Sequence, residues 1–377
     1  MIGAGVAASD APVSIAGMPT PLPMDLVRDP SPASDPTLDP VRLAAHLMAA
    51  DSTSGHEAPA VDLMAALLAA RGWRVTRIPV TPGRDDLFAE GDAPARVTLS
   101  THLDTVPPFL PPRVDGDRLY GRGACDAKGI AAAMVCAAER LRADGVPVGL
   151  LFVVGEETAH DGAHAANEAR ARVAPHNVVL VNGEPTESAL AVGTKGAQRF
   201  VLRTTGRAAH SAYPHLGDSA TARLARLLVE LESLDLPRDP VLGDTTVNVG
   251  GLAGGVADNV IAPWAEARCM ARLVGPAEAL RARIEAWCAG RAEVEWGTMV
   301  PPVRLATVEG FRTDVVAYAT DVPALDAWGT PYLFGPGSIH VAHTDDEHVA
   351  VAELHAAVDA YARIAMLALR AAGTTSG

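Results

Sequence analysis

Six acidic or imidazole side chains fall in four short segments between Ser100 and Glu184: His102, Asp104, Asp126, Glu156, Glu157 and Glu184. The segments read Ser-Thr-His-Leu-Asp, Gly-Ala-Cys-Asp-Ala-Lys-Gly, Val-Val-Gly-Glu-Glu-Thr and Asn-Gly-Glu-Pro-Thr, and a later imidazole, His343, stands in Ala-His-Thr-Asp-Asp-Glu. Two histidines and three carboxylates, with one glutamate to spare, form a mixed nitrogen and oxygen donor set. It suits two divalent ions about 3.5–4 Å apart. The chemistry of such a pair is hydrolysis, with one carboxylate shared between the ions and another acting as base.

Each segment taken singly also has an ordinary reading. His102 and Asp104 are two apart and so share a face of a strand, where a ligand and the acid that orients it can meet. Asp126 lies between glycines at a helix entrance and reads equally as an N-cap. The glycines there lack the full spacing of a dinucleotide loop. Glu156 and Glu157 follow an apolar run that reads as a strand buried on both faces, where two acids are costly without cations or raised pKa values. Adjacent residues diverge in direction, so one can bind metal while the other faces a water. Glu184 reads alone as a surface acid, and His343 has His340 and His348 as rivals.

The elements that must position these groups alternate. Residues 40–71 carry apolar positions at helical spacing, stopped by Gly72. Strands are expected at 96–100, 148–154, 177–181 and 332–334, with helices at 130–142 and 347–370. Alternating strands and helices predict an α/β domain around a mostly parallel sheet with helices on both faces. Most of the acidic groups sit just past a strand, at the edge where such sheets bind ligands. Between residues 195 and 298 the order becomes strand, helix, strand, strand, helix, strand. That order predicts an inserted ferredoxin-like α+β domain. The expected division is a tail at 1–40, a catalytic domain at 41–194 and 299–372, and the insert at 195–298.

Composition narrows the function. At 377 residues the chain is long enough for two domains. A net charge of −14 argues against nucleic acid and anionic membrane partners. No window is apolar enough to span a bilayer, and the first forty residues make a poor signal peptide. Met18 and Met24 are later candidate starts. Four scattered cysteines suit a reduced, cytoplasmic protein, with Cys125 beside Asp126 read as packing. The only lysines, Lys128 and Lys195, both adjoin the motifs.

Together the ordered motifs and the insert resemble the co-catalytic zinc metallopeptidase family of acetylornithine deacetylase, succinyl-diaminopimelate desuccinylase, glutamate carboxypeptidase and aminoacylase. The resemblance spans residues 41–369. It implies two divalent ions, zinc first with cobalt or manganese as alternatives. His102, Asp126 and Glu184 would hold one ion and Asp126, Glu157 and His343 the other. It further implies Glu156 as general base, Asp104 orienting His102, and a cis peptide after Asp126. The insert resembles a lid that also forms a homodimer, with His210 stabilising an oxyanion, often across the subunit boundary. Asn259 and Arg272 would hold a substrate carboxylate, with Gly337 beside them. One departure is Met270, where an aspartate is common two residues before the arginine. Gly335-Pro-Gly before the late imidazole is most similar to the acetylornithine deacetylase branch, so the small-molecule substrate is expected to be N-acetylornithine or N-acetylcitrulline. A dipeptidase or carboxypeptidase, or a hydrolase freeing lysine or ornithine from a carrier protein, stands as the alternative. A non-catalytic binding protein would lack a ligand or the base.

Overall fold

The computed structural model describes residues 38–374. Most of the tail expected at 1–40 therefore lies outside the described residues, and Pro40 already opens a helix. That helix, α1 (Pro40–Met48), is capped by Asp39, whose carboxylate accepts from Arg42 N at 2.8 Å. After a loop, α2 (Ala58–Ala70) forms the second helix of the stretch and ends before Gly72, as expected.

A six-stranded sheet forms the centre. Its strands are β1 (Arg74–Thr81), β2 (Arg84–Glu90), β3 (Val97–His102), β4 (Val148–Val153), β5 (Val179–Asn182) and a late strand, Thr330–Leu333, in the order β1-β2-β4-β3-β5-late strand. From β4 to the late strand all pairings are parallel, while β1 and β2 form an antiparallel hairpin at one edge. Strands β3, β4 and β5 are buried at every residue. This is the expected mark of a parallel sheet covered on both faces. The main cluster joins one face to α1, α2, α3 (Lys128–Ala143) and the closing helix from Val351 to Thr374. A smaller cluster around Trp328 and Leu180 packs the other face against α4 (Asp161–Val173).

The hairpin β1–β2 and helix α4 are absent from the sequence expectation. Pro79, Asp85 and Asp86 interrupt the apolar pattern of the hairpin. Asp86 is nonetheless buried, and its carboxylate accepts from Val154 N at 3.0 Å. Helix α4 buries little beyond glycine, alanine and Val173, so its stripe is faint.

The inserted unit contains β6 (Gly196–Thr205), α5 (Ala220–Leu231), β7 (Thr246–Gly254), β8 (Trp264–Leu273), α6 (Ala277–Cys288) and β9 (Glu293–Val300). Its antiparallel sheet runs β7-β8-β6-β9. Helices α5 and α6 cover one face around Phe200, Leu202, Leu224 and Ile284. The other face carries no helix of the unit. With β10 (Thr330–Leu333) and α7 (Val351–Thr374), the chain returns to the main domain.

Besides its apolar packing, helix α7 makes a buried hydrogen bond just past the end of β10, where the Tyr361 hydroxyl donates to Phe334 O at 2.7 Å. Tyr361→Phe strands that carbonyl without a donor. The expected cost is about 1–3 kcal/mol of unfolding free energy in urea titrations, and an unchanged midpoint would contradict this role.

Candidate metal centre

The carboxyl ends of the parallel strands bring the chemistry together. In register, His102 of β3 is level with Val153 of β4, and Ser100 is level with Asn182 of β5, which in turn pairs with Leu333 of β10. Residues just past each strand therefore meet above one edge of the sheet. His102, Glu156, Glu157 and Glu184 arrive this way. Gly335 passes so close to Glu184 that an added Cβ would lie 2.3 Å from Glu184 O, so only glycine fits there.

Asp126 sits in the middle. One carboxylate oxygen faces His102 Nε2 at 2.9 Å, and the other faces His343 Nε2 at 3.1 Å. His343 Nε2 also lies 2.9 Å from Glu157 Oε1. A ligand atom from each of His102, Asp126 and Glu157 falls within 4.8 Å of the others. Glu184 lines the same cavity but stands outside this tightest group. The peptide after Asp126 is cis. His343 occupies the left-handed region at φ 64°, a conformation that tends to persist at functional positions.

The supports around the centre are specific. His102 Nδ1 lies 2.9 Å from Asp104 O and 3.5 Å from Asp104 Oδ1, which leaves Nε2 for the centre. The Asp104 carboxylate accepts from the backbone N–H groups of Glu156 and Glu157 at 3.1 and 3.2 Å and from the Ser54 hydroxyl at 2.8 Å. Asp104 thus orients the histidine through its backbone carbonyl and pins the Glu-Glu turn through its carboxylate. Glu347 forms a fully buried pair with Arg122 at 2.6 Å and accepts from Gly123 N and Asp126 N at 2.9 and 3.3 Å. Ser54, Arg122 and Glu347 had no role in the sequence reading. A buried Arg–Glu pair joining segments some 220 residues apart leaves no local pattern.

Electrostatics test whether cations fit. Burial, reinforced by neighbouring acids, pushes Glu156 well above the usual carboxyl range. Burial also raises Glu157 and pushes Glu184 well up. Burial would raise Asp126 too, but hydrogen bonds from His102 and His343 pull it below its ordinary value. His102 is raised because its carboxylate partners outweigh burial. Several acids thus crowd one end of the cavity, where the imidazoles of His102 and His343 are the side-chain partners of Asp126 and Glu157, and divalent cations would relieve that crowding. Two imidazoles with carboxylates match the donor chemistry of such ions.

The centre lines a cavity of about 390 Å³, whose wall includes Glu156, Glu157, Glu184 and His343. Arg272 of the lid lines it as well. His160, Tyr318 and Arg199 also line it and were not singled out from sequence. His160 Nδ1 lies 2.8 Å from the buried Asp321.

His210, Asn259 and Gly337 do not line the cavity. His210 and Asn259 are exposed and sit together, with Val260 bridging His210 and Ser211 N donating to Asn259 O at 2.9 Å. The reason is strand length. Ala197 and Arg199 meet the cavity at the start of β6, whereas His210 follows its other end, about 30 Å away along ten residues. Gly337 is held elsewhere, its N–H donating to Glu353 at 3.2 Å and its Cα packed beneath Cys125.

Hydrogen bonds to Asp126 and then Glu157 raise His343 from 6.5 to about 10. A raised native value adds stability that is whole below the unfolded pKa and fades as pH climbs through the native one. In chelator-treated protein, the stability advantage over His343→Gln should therefore shrink between pH 6.5 and about 10 in urea titrations. A constant advantage across that window would remove the imidazolium from the account.

A profile described as peptidase family M20/M25/M40 matches residues 98–367. A probable carboxypeptidase of Aspergillus terreus is 39% identical, covering 89% of this chain and 88% of its own length. A peptidase M20 domain-containing protein of Schizosaccharomyces pombe is 37% identical, covering 88% and 85%. Among solved structures, a Staphylococcus aureus tripeptidase superposes with a TM-score of 0.73 at 20% identity, over 87% of this chain and 98% of its own. A Bacillus subtilis protein described as a dinuclear metal-binding peptidase of the M20 family reaches 0.66 at 16% identity, over 88% and 98%. The profile match and the identity over most of both chains place this chain in peptidase family M20/M25/M40, among hydrolases of amide bonds.

Proposed function

We propose that this hydrolase releases the C-terminal amino acid from a dipeptide or short peptide, as a carboxypeptidase or dipeptidase. One observation carries the reading. A largely buried glutamate with a raised carboxyl pKa, Glu156, stands beside a cluster of ligand-type groups and shares a cavity with an arginine of the lid. Names of relatives point the same way, since several fungal proteins 35–39% identical are described as probable carboxypeptidases. The first expectation, N-acetylornithine or N-acetylcitrulline, rests on likenesses of short segments, Gly335-Pro-Gly with the stretch around His343 and the choice of glutamate at 184, and has less support than its alternative.

The donor set favours two divalent ions, with zinc as the proposed species and cobalt or manganese as alternatives. Asp126 is the proposed shared ligand, with His102 and Glu184 on one side and Glu157 and His343 on the other. Ions so held would polarise the scissile carbonyl and acidify a water. Glu156 takes the proton from that water and returns it to the leaving amine, a task for which a raised carboxyl pKa is suited. Asp104 keeps His102 in the tautomer that offers Nε2. Arg272 holds the free carboxylate of the departing residue.

His210 and Asn259 lie too far along the lid to serve their own cavity, so any oxyanion role for His210 requires a second copy. The proposed homodimer would use the lid, where β7 is an edge strand and Leu252 and Val256 are exposed. No helix among the described residues is long and apolar enough to cross a membrane. A cytoplasmic location remains the proposal made from cysteine usage.

Glu156→Gln is expected to lower kcat by about 10²–10⁴ while bound metal, read by mass spectrometry, stays near the wild-type ratio. Metal lost along with activity would recast Glu156 as a ligand. Rates on alanyl dipeptides, N-acetylated amino acids and N-acetylornithine with metal-loaded enzyme decide the substrate class. Preferred turnover of N-acetylornithine would reverse the carboxypeptidase reading.

A further inference from the structure

The bare face of the lid sheet turns two arginines toward the cavity. Along β6, Ala197 and Arg199 line it, while Gln198 and Phe200 point the other way and are buried. Along β8, Met270 and Arg272 line it, and Cys269 and Ala271 are buried on the helix side. Period-two alternation therefore places both guanidiniums on one face. Register sets Arg199 opposite Met270 and Arg272 opposite Ala197. The two arginines are thus diagonal neighbours, with Cα atoms about 7–8 Å apart and long side chains in mutual reach.

No acid answers either of them. Among the described residues neither guanidinium makes an ion pair or a hydrogen bond. Arg203, four residues along the same strand, shows what neutralisation looks like here, for it pairs with Glu266 at 3.2 Å and also with Glu295. Directly across from Arg199 stands the apolar Met270. Burial and then the charge of Arg199 lower the proton affinity of Arg272, but an arginine stays charged. Two adjacent guanidiniums without counterions make an anion site. A single carboxylate would leave one positive charge unanswered.

We propose that Arg199 and Arg272 form a two-guanidinium clamp selecting substrates whose C-terminal residue bears a second carboxylate, namely glutamate or aspartate. The proposal rests on the hydrolase reading above, in which Arg272 takes the main-chain carboxylate. Arg199 then takes the side-chain carboxylate, and Met270 lies beneath the methylene stem between them. A substrate with a cationic side chain, such as ornithine, would meet like charge at Arg199.

The test has a kinetic arm and a binding arm. Metal-loaded enzyme is assayed on Ala-Glu and Ala-Gln. Separately, chelator-treated protein is titrated calorimetrically with N-acetyl-L-glutamate and N-acetyl-L-glutamine. The expected result is an acid-over-amide preference of about tenfold or more in both arms. Arg199→Gln should collapse that ratio towards one, Arg199→Lys should keep part of it, and Arg272→Gln should weaken both ligands. Equal handling of acid and amide by the wild type overturns the clamp, as does an unchanged ratio in Arg199→Gln. If Ala-Glu, Ala-Gln and the other amides all go uncleaved, the hydrolase reading falls by itself, and the binding ratio still decides whether the clamp exists.

Discussion

The centre depends on one carboxylate shared by two imidazoles. Asp126 offers one oxygen to His102 and the other to His343, residues more than 200 positions apart in the chain. Concentrating further acids around that point is unfavourable in a buried site, as the raised values of Glu156, Glu157 and Glu184 record. A fold can hold such a group only where rigid elements bear the repulsion or where cations remove it. Here the acids follow the ends of fully buried strands, and the donor types gathered there suit divalent ions.

The surrounding polar contacts divide the work. Asp104 fixes His102 through its backbone carbonyl and the backbone of the Glu-Glu turn through its carboxylate, so one residue sets the positions of an imidazole and of two acids facing the cavity. Glu347 performs a parallel task for the Asp126 loop, with Arg122 as its counterion. Neither acid needs to touch substrate. Removing the partner of a buried charge is far costlier than the pair's net worth, so these contacts hold geometry more than they add stability.

The lid faces this acid-rich floor with positive charge. Its helices cover one face of the sheet and leave the other to the cavity, where Arg199 and Arg272 stand. Cations held below and guanidiniums above would give a polar channel matched to an amide with free carboxylates. The fold supplies the framework, while the chemistry comes from side chains at strand ends and on the open sheet face.

Residue types in chain order pointed to a set of metal-type donors only when taken jointly, because each segment alone also reads as a helix cap, a loop acid or a surface acid. The two-part α/β plan was equally legible, since strand and helix periods switch cleanly at Lys195. Other features had no local signal. Asp86 carried no local mark of its role, because the backbone N–H that it accepts from belongs to Val154, 68 residues on. Arg199 carried no local mark, because the absence of a counter-acid is a property of three strands brought side by side. His210 and Asn259 were matched by motif, yet the length of β6 carries them away from their own cavity. Sequence thus determined which groups could do chemistry, through residue type and position after a strand. Tertiary structure decided which of them meet, because distance across a sheet depends on register and strand length, and neither is written in any one segment.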